Sequence, residues 1–229
     1  MPEDPIVPNP INRRAKEIFE KLVTDPDLGH YVDATYPVPA VYRGQGEIKL
    51  VILGQDPTVK NVKSRALIKT VLNLDRSSHL QRYLSGICQG LGLDLDQNVY
   101  ATNYIKNFFV RPPTQIEEIN ILETFSPFWL PLLRDELSQF PSVPLITLGQ
   151  PLLRAVINEN VSPNVRDYWG YRPDWKTGRS GEYSFLEPGE NILSRQIFPF
   201  PHQPSMRKRF YLEKMDQYTD FVKGHLLEL

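Results

Sequence analysis

Residues 48–57 read IKLVILGQDP, and this stretch decides the fold. Its first seven residues, 48–54, form a short, β-branched run that is apolar on both faces, as in a central strand of a parallel sheet. The run ends abruptly at the polar segment Gln55-Asp56-Pro57. The sequence therefore predicts a buried strand with a carboxylate placed directly after its carboxyl end.

Similar apolar runs recur along the chain and alternate with helical patterns. Alternation of this kind predicts a parallel sheet with helices on both faces. We therefore expect a three-layer α/β/α fold with a central, mostly parallel, four-stranded sheet. The other three strands are predicted within NVYATNYI at 98–105, VPLITLG at 143–149 and NILSRQIFPFPH at 191–202. Helices are predicted at 79–92, at 116–139 with a break near Pro127 or Pro131, and at 150–157.

The remaining segments are assigned by composition and periodicity. We expect an extended arm at 1–12, a helix at 13–23, a surface loop at 24–47 and a single domain over 1–229. The stretch 158–190 is interpreted as an irregular insertion or a meandering hairpin. Its aromatic residues, Trp169, Trp175 and Tyr183 among them, favour a loop packed by its own rings over a surface that stacks bases. Residues 208–229 form an amphipathic pattern whose core face comprises Phe210, Met215, Tyr218, Phe221, Val222 and Leu226.

Bulk properties exclude several classes of protein. The 229 residues carry a net charge of −1, so any DNA binding must depend on local basic clusters. The N-terminal residues lack the apolar run of a signal peptide, and no stretch has the length of a membrane span, so a cytoplasmic protein is expected. The single cysteine, Cys88, excludes an internal disulfide or a cysteine-ligated cluster and lies in an apolar helical pattern, which favours a buried thiol.

Polar segments follow three of the predicted strands. They begin at Gln55, at Asn103 and at His202. The carboxyl ends of parallel strands share one edge of a sheet, so Asp56, Asn103 and His202 are expected to converge in one cleft. Taken singly, each has an ordinary interpretation as a turn residue, a cap or a surface histidine. The prediction of a site depends on their joint placement.

The motifs for several reactions are missing. The sequence has no Gly-x-Ser-x-Gly elbow, no phosphate-binding loop and no metal-ligand spacing among its four histidines. The remaining candidates, Asp56, Asn103 and His202, suit a reaction that needs one carboxylate, one base-reading amide and one donor to a developing anion.

Four segments together resemble the uracil-DNA glycosylase superfamily. Gly54-Gln55-Asp56-Pro57 resembles the water-activating motif of that family. VYATNYIKNFFVRPP at 99–113 and VPLITLGQPLLRAV at 143–156 resemble segments of its iron–sulfur branch, and PHQPSMRKRF at 201–210 resembles its His-Pro-Ser loop. The four segments occur in the family's order.

The resemblance implies a DNA glycosylase that flips a damaged base, uracil or a relative, out of DNA and needs no cofactor or metal. It implies that Asp56 positions water, that Asn103 reads the base edge, and that His202 donates to the leaving base. Gly54, Gln55, Pro57 and Thr58 would line the substrate site. Ser205, Met206, Arg207 and Lys208 would contact DNA, with Met206 as the apolar wedge. A monomer acting on single- or double-stranded DNA is expected.

Several positions depart from the family pattern. Thr58-Val59 replaces the usual Tyr-His, which predicts a wider base pocket, and Gln203 adds one residue to the histidine loop. The cluster cysteines are absent. The residue that packs against the flipped base could be Leu67, Leu72, Leu74 or Tyr83, and the sequence does not decide between them. Lys60, Lys63, Arg65 and Lys69 either follow the DNA backbone or form a solvated helix face.

These departures keep two other functions open. One is a non-catalytic protein that binds a nucleobase or DNA on the same fold, since similar folds need not share chemistry. The other is hydrolysis of small nucleosides.

Overall fold

The structure, a computed structural model, describes residues 10–171 and 181–226. Its centre is a five-stranded sheet whose strands are β1 (Tyr42–Arg43), β2 (Leu50–Gly54), β3 (Val99–Asn103), β4 (Leu145–Leu148) and β5 (Ile197–Phe200). The strands lie in the order β1-β3-β2-β4-β5. The strands β2 to β5 are mutually parallel, and β1 pairs with β3 in the antiparallel direction.

Helices cover both faces of this sheet. Every residue of β2, β3, β4 and β5 is buried, as expected for strands with helices on each side. The helices are α1 (Pro10–Thr24), α2 (Val62–Arg65), α3 (His79–Gly90), α4 (Leu95–Asn98), α5 (Ile121–Ser138), α6 (Gln150–Val156), α7 (Val165–Tyr168) and α8 (Arg209–Leu226). Helix α5 contacts both α1 and α6, and α3 contacts α8.

The predicted α/β fold is confirmed, with one strand more than expected. The additional strand β1 has only two residues and lies within the segment predicted as a surface loop. The first helix starts at Pro10, so the extended arm is wrong for residues 10–12, and residues 1–9 lie outside the described part of the chain.

The expected break in the fifth helix is wrong. Helix α5 runs without interruption through Pro127 and Pro131. Both prolines lie on its exposed side, so the carbonyl groups that lose a helical N–H partner are accessible to water. The buried side of the same helix carries Phe125, Trp129, Leu132 and Leu133, which explains why packing outweighs the local penalty.

The described residues of the segment 158–190 pack against the edge of the sheet. Leu186 exchanges two backbone hydrogen bonds with Ile197 of β5, and Trp169 forms an antiparallel bridge with Tyr183. Trp169 is buried, stacks on Tyr218 of α8 and donates from Nε1 to the carbonyl of Pro199 at 2.7 Å. For these residues the self-packed interpretation is confirmed; Trp175 lies outside the described residues.

The final helix and the cysteine also agree with the sequence predictions. Tyr218 and Val222 of α8 are buried, and the other four predicted core residues of that helix are partly buried against the core. The Cys88 thiol is fully buried. Within the described residues, no helix has both the length and the apolar character required to cross a membrane.

Candidate active site

The predicted site residues follow adjacent parallel strands at one edge of the sheet. Gly54 at the end of β2 is paired with Asn103 at the end of β3, and Asp56 lies two residues beyond Gly54. His202 lies two residues beyond β5, which is separated from β2 only by β4. With strands about 4.8 Å apart, the carboxyl ends of β2 and β5 are separated by roughly 10 Å. The structure therefore brings the segments that carry Asp56, Asn103 and His202 to one edge of the sheet.

Asp56 is held by its neighbours. Its Oδ1 atom accepts a hydrogen bond from the Thr58 backbone N–H at 2.8 Å, and its Oδ2 atom accepts one from Gln55 Nε2 at 3.0 Å. Burial raises the pKa of Asp56 from 3.8 to about 6, although these hydrogen bonds and the charge of Arg65 act in the opposite direction. Asp56 is therefore a fixed carboxylate that is ionised at neutral pH, at a cost in desolvation.

Asn103 presents a free amide in a buried place. The residue is fully buried, and among the described residues neither Oδ1 nor Nδ2 of its side chain has a hydrogen-bond partner. Buried amide groups are usually paired because an unpaired one costs free energy. A Cβ atom added at Gly54 would lie 2.3 Å from Asn103 Oδ1, so only glycine leaves space for this amide.

Leu72 is the apolar neighbour of this amide. The same added Cβ atom at Gly54 would lie 2.6 Å from Leu72 Cδ2. Leu72 has a φ of 56° and the following Asn73 a φ of 54°, a left-handed conformation that costs free energy for a branched side chain. Of the other three candidates, Leu67 is exposed, Leu74 is buried, and the Tyr83 hydroxyl bonds to the Pro201 carbonyl next to His202.

His202 lies beside the end of β4. A Cβ atom added at Gly149 would lie 3.2 Å from the Cβ of His202, and the φ of Gly149 is 95°, so glycine is required there for two reasons. The Tyr83 hydroxyl donates to the carbonyl of Pro201 at 2.9 Å and so ties the histidine loop to α3. The His202 side chain is exposed, yet desolvation by the protein around it lowers its pKa, which favours the neutral imidazole.

Thr58 and Arg65 fix the segment that follows Asp56. Thr58 Oγ1 accepts a hydrogen bond from the backbone N–H of Phe109 at 2.9 Å. The Arg65 side chain is 1% exposed, pairs with Asp33 Oδ2 at 2.8 Å and donates to the carbonyl of Phe109 at 2.7 Å. Arg65 is therefore a structural clamp, and both interpretations of it as part of a basic surface are wrong. Lys60, Lys63 and Lys69 are exposed.

The histidine loop forms a short 3-10 helix, Gln203–Arg207. The backbone N–H of Ser205 bonds to the carbonyl of His202 at 2.7 Å, and Met206 is partly buried against the core. Arg207 and Lys208 are exposed and form no ion pair with any residue that the structure describes. The loop therefore offers two free cations beside the site.

A separate groove of about 700 Å³ opens nearby between α5 and α6. Tyr104, which follows Asn103, and Gln150, which follows Gly149, both line it, together with Glu123, Pro127 and Arg154. The groove therefore lies on the same edge of the sheet as the predicted site. In the described ranges, His, Cys, Asp and Glu form no cluster of three or more that could hold a metal ion.

These features define a class of protein: an α/β protein with an open, mostly parallel sheet and a polar site at the carboxyl ends of its strands. The model of the uracil DNA glycosylase superfamily matches residues 41–224, and the chain belongs to this family. The match includes all five strands and every predicted site residue. No curated protein matches the chain.

Proposed function

We propose that this chain is a monofunctional DNA glycosylase that hydrolyses the bond between deoxyribose and uracil or a related damaged base. The observation that carries the proposal is the Asn103 amide, which is buried yet bonds to nothing in the described part of the chain. This amide lies beside the Asp56 segment, because Gly54 is directly paired with Asn103. Its Oδ1 atom can accept from the N3–H group of uracil while its Nδ2 group donates to O4, because both atoms are bonded to the same carbon and face the base edge side by side.

Asp56 and His202 divide the chemistry between the two sides of the breaking bond. The sugar becomes oxocarbenium-like as the bond lengthens, and the Asp56 carboxylate stabilises that charge and orients the attacking water. The base leaves as an anion, and the His202 N–H donates to it. A neutral imidazole suits this role, and the lowered pKa of His202 favours that form at neutral pH.

The base must first leave the helical stack, which costs a few kcal/mol. Arg207 and Lys208 would bind the flanking phosphates and offset part of this cost. Met206 would fill the space that the flipped base leaves in the stack. For this, the Met206 side chain must leave its partly buried position in the 3-10 helix.

The test is base release from oligonucleotides that carry a single uracil, hypoxanthine, xanthine or thymine, in single and double strands. We expect wild-type protein to release at least one of these bases and Asp56→Asn to lose at least 100-fold in rate while still binding DNA. Asp216→Asn, an exposed aspartate on α8, is the matched control and should be fully active.

Three results would contradict the proposal in different ways. Binding of damaged DNA without release of any base would show a non-catalytic binding protein. Release from free deoxynucleosides alone would show a nucleoside hydrolase. Equal activity of Asp56→Asn and wild type would show that the reaction takes place elsewhere in the molecule.

A further inference from the structure

Lys106 is a buried cation that the proposed reaction does not use. The residue is 3% exposed, and its Nζ atom lies 2.7 Å from Glu136 Oε1 of α5. The same atom donates to Thr102 Oγ1 at 2.5 Å and to the carbonyl oxygen of Asn103 at 3.2 Å. One ammonium group thus joins the last two residues of β3 to a helix.

Stability alone does not account for this ion pair. Burying two charges costs desolvation, and replacing such a pair by apolar side chains is often neutral or stabilising. The Glu136 carboxylate is fully buried and also interacts with the buried Tyr100 hydroxyl, although neither of its oxygens accepts a well-aligned hydrogen bond within the described ranges. The pair is therefore better explained by what it holds in place.

The turn after β3 is fixed on both of its sides. Towards α5, the Tyr104 hydroxyl lies 2.6 Å from Ser126 Oγ, and Asn107 Oδ1 accepts from Trp129 Nε1 at 3.0 Å. Towards β2, the backbone N–H groups of Tyr104 and Ile105 bond to the carbonyls of Gly54 and Gln55 at 2.8 and 2.9 Å. Among these contacts, the one that links the Asn103 backbone to α5 is made by Lys106, which bonds to the Asn103 carbonyl and pairs with Glu136 of α5.

We propose that Lys106, with Glu136 as its counter-charge, is a positioning residue that holds Asn103 in the orientation required to read a base. This inference rests on the proposed role of Asn103 in base binding. Hydrogen-bond recognition depends on placement within about 0.5 Å, so a side chain fixed by its supporting contacts gains in selectivity. Loss of the ammonium would let the strand end move without removing any group that touches the base.

The test separates base reading from DNA binding. Each protein is titrated with two single-stranded oligonucleotides, one carrying 2′-fluoro-2′-deoxyuridine, whose glycosidic bond resists hydrolysis, and one carrying a tetrahydrofuran abasic analogue. The dissociation constant for the abasic oligonucleotide divided by that for the fluorouridine oligonucleotide measures how much the base contributes to binding. We expect Lys106→Met/Glu136→Leu to lower this ratio at least 10-fold while affinity for the abasic oligonucleotide stays within 2-fold of wild type.

Two further variants control for structural damage. Arg195→Met removes a buried guanidinium that bonds to the carbonyls of Leu137 and Phe140, next to the start of β5 and away from the site, and should leave the ratio unchanged. Lys106→Gln/Glu136→Gln removes both charges but keeps an N–H donor, and its ratio should lie between wild type and the Met/Leu variant. If the Met/Leu variant does not fold, the Gln pair is compared with wild type directly.

The outcomes distinguish this inference from the proposed reaction. Base-dependent binding that is lost in the double variants supports the positioning role, even if wild-type protein releases no base. A ratio that is the same in wild type and the double variants overturns it. A wild-type ratio of one also overturns it, because Asn103 would then read no base.

Discussion

Replacing Asp56 by asparagine is expected to stabilise the folded protein at neutral pH while it abolishes the proposed reaction. The ionised carboxylate is held in a partly buried place that raises its pKa from 3.8 to about 6. Each pKa unit corresponds to about 1.4 kcal/mol, so ionised Asp56 costs up to about 3 kcal/mol. Partial exposure to solvent reduces this figure, and we expect about 1–2 kcal/mol.

The sign of the effect depends on pH. Between about pH 4 and pH 6 the folded protein retains a proton on Asp56 that the unfolded chain has released. The free energy of unfolding of the wild-type protein therefore falls as the pH rises through this window. Asparagine has no charge to desolvate, so the advantage of Asp56→Asn should be absent near pH 4 and complete above pH 7.

The hydrogen bonds permit this substitution. The asparagine oxygen can still accept from the Thr58 N–H, and rotation of the Gln55 amide lets its oxygen accept from the new NH₂ group. For a chain of this size, about 1–2 kcal/mol corresponds to a rise in Tm of roughly 2–8 °C. Thermal unfolding at pH 4 and pH 7.5 measures it, with exposed Asp216→Asn as control. A variant that is less stable at pH 7.5, or equally stabilised at both pH values, would refute the reasoning.

Three further predictions concern the surroundings of the site. Leu72→Ala should widen the space beside Asn103 and raise the ratio of thymine to uracil release at least 10-fold, measured on paired oligonucleotides; an unchanged ratio would exclude Leu72 from the pocket. Tyr83→Phe removes the hydrogen bond to the Pro201 carbonyl and should lower the rate of base release about 3- to 10-fold with little change in DNA affinity, and a normal rate would contradict this. Arg207→Ala/Lys208→Ala should weaken DNA binding and reduce the slope of log affinity against log salt by about 2, whereas an unaltered slope would show that neither cation binds phosphate.

The sheet was predictable because its parallel strands are buried, mostly apolar runs, and polar segments follow three of them. The strand β1 was not, because two residues carry no periodicity, and its pairing with β3 is a tertiary contact. The prolines of α5 misled the prediction for a similar reason, since local propensity is outweighed by the buried aromatic face of that helix.

The site could be predicted only at the level of strand ends. Asp56, Asn103 and His202 were placed at one edge by topology, and the structure agrees in that placement, while their catalytic roles stay predictions. Contacts between residues that are far apart in the sequence cannot be recognised from the local sequence pattern. Arg65 looked like a surface cation because its partner Asp33 is 32 residues away, and the position of Leu72 beside Gly54 and Asn103 is set by the fold and not by local sequence.

The most direct test of the central claim is a crystal structure of the protein with an oligonucleotide that carries 2′-fluoro-2′-deoxyuridine. We expect the flipped uracil at the carboxyl edge of the sheet, with the Asn103 amide hydrogen-bonded to N3–H and O4 and with His202 near O2. A base bound in the groove between α5 and α6, or anywhere that leaves the Asn103 amide without a partner, would contradict the account.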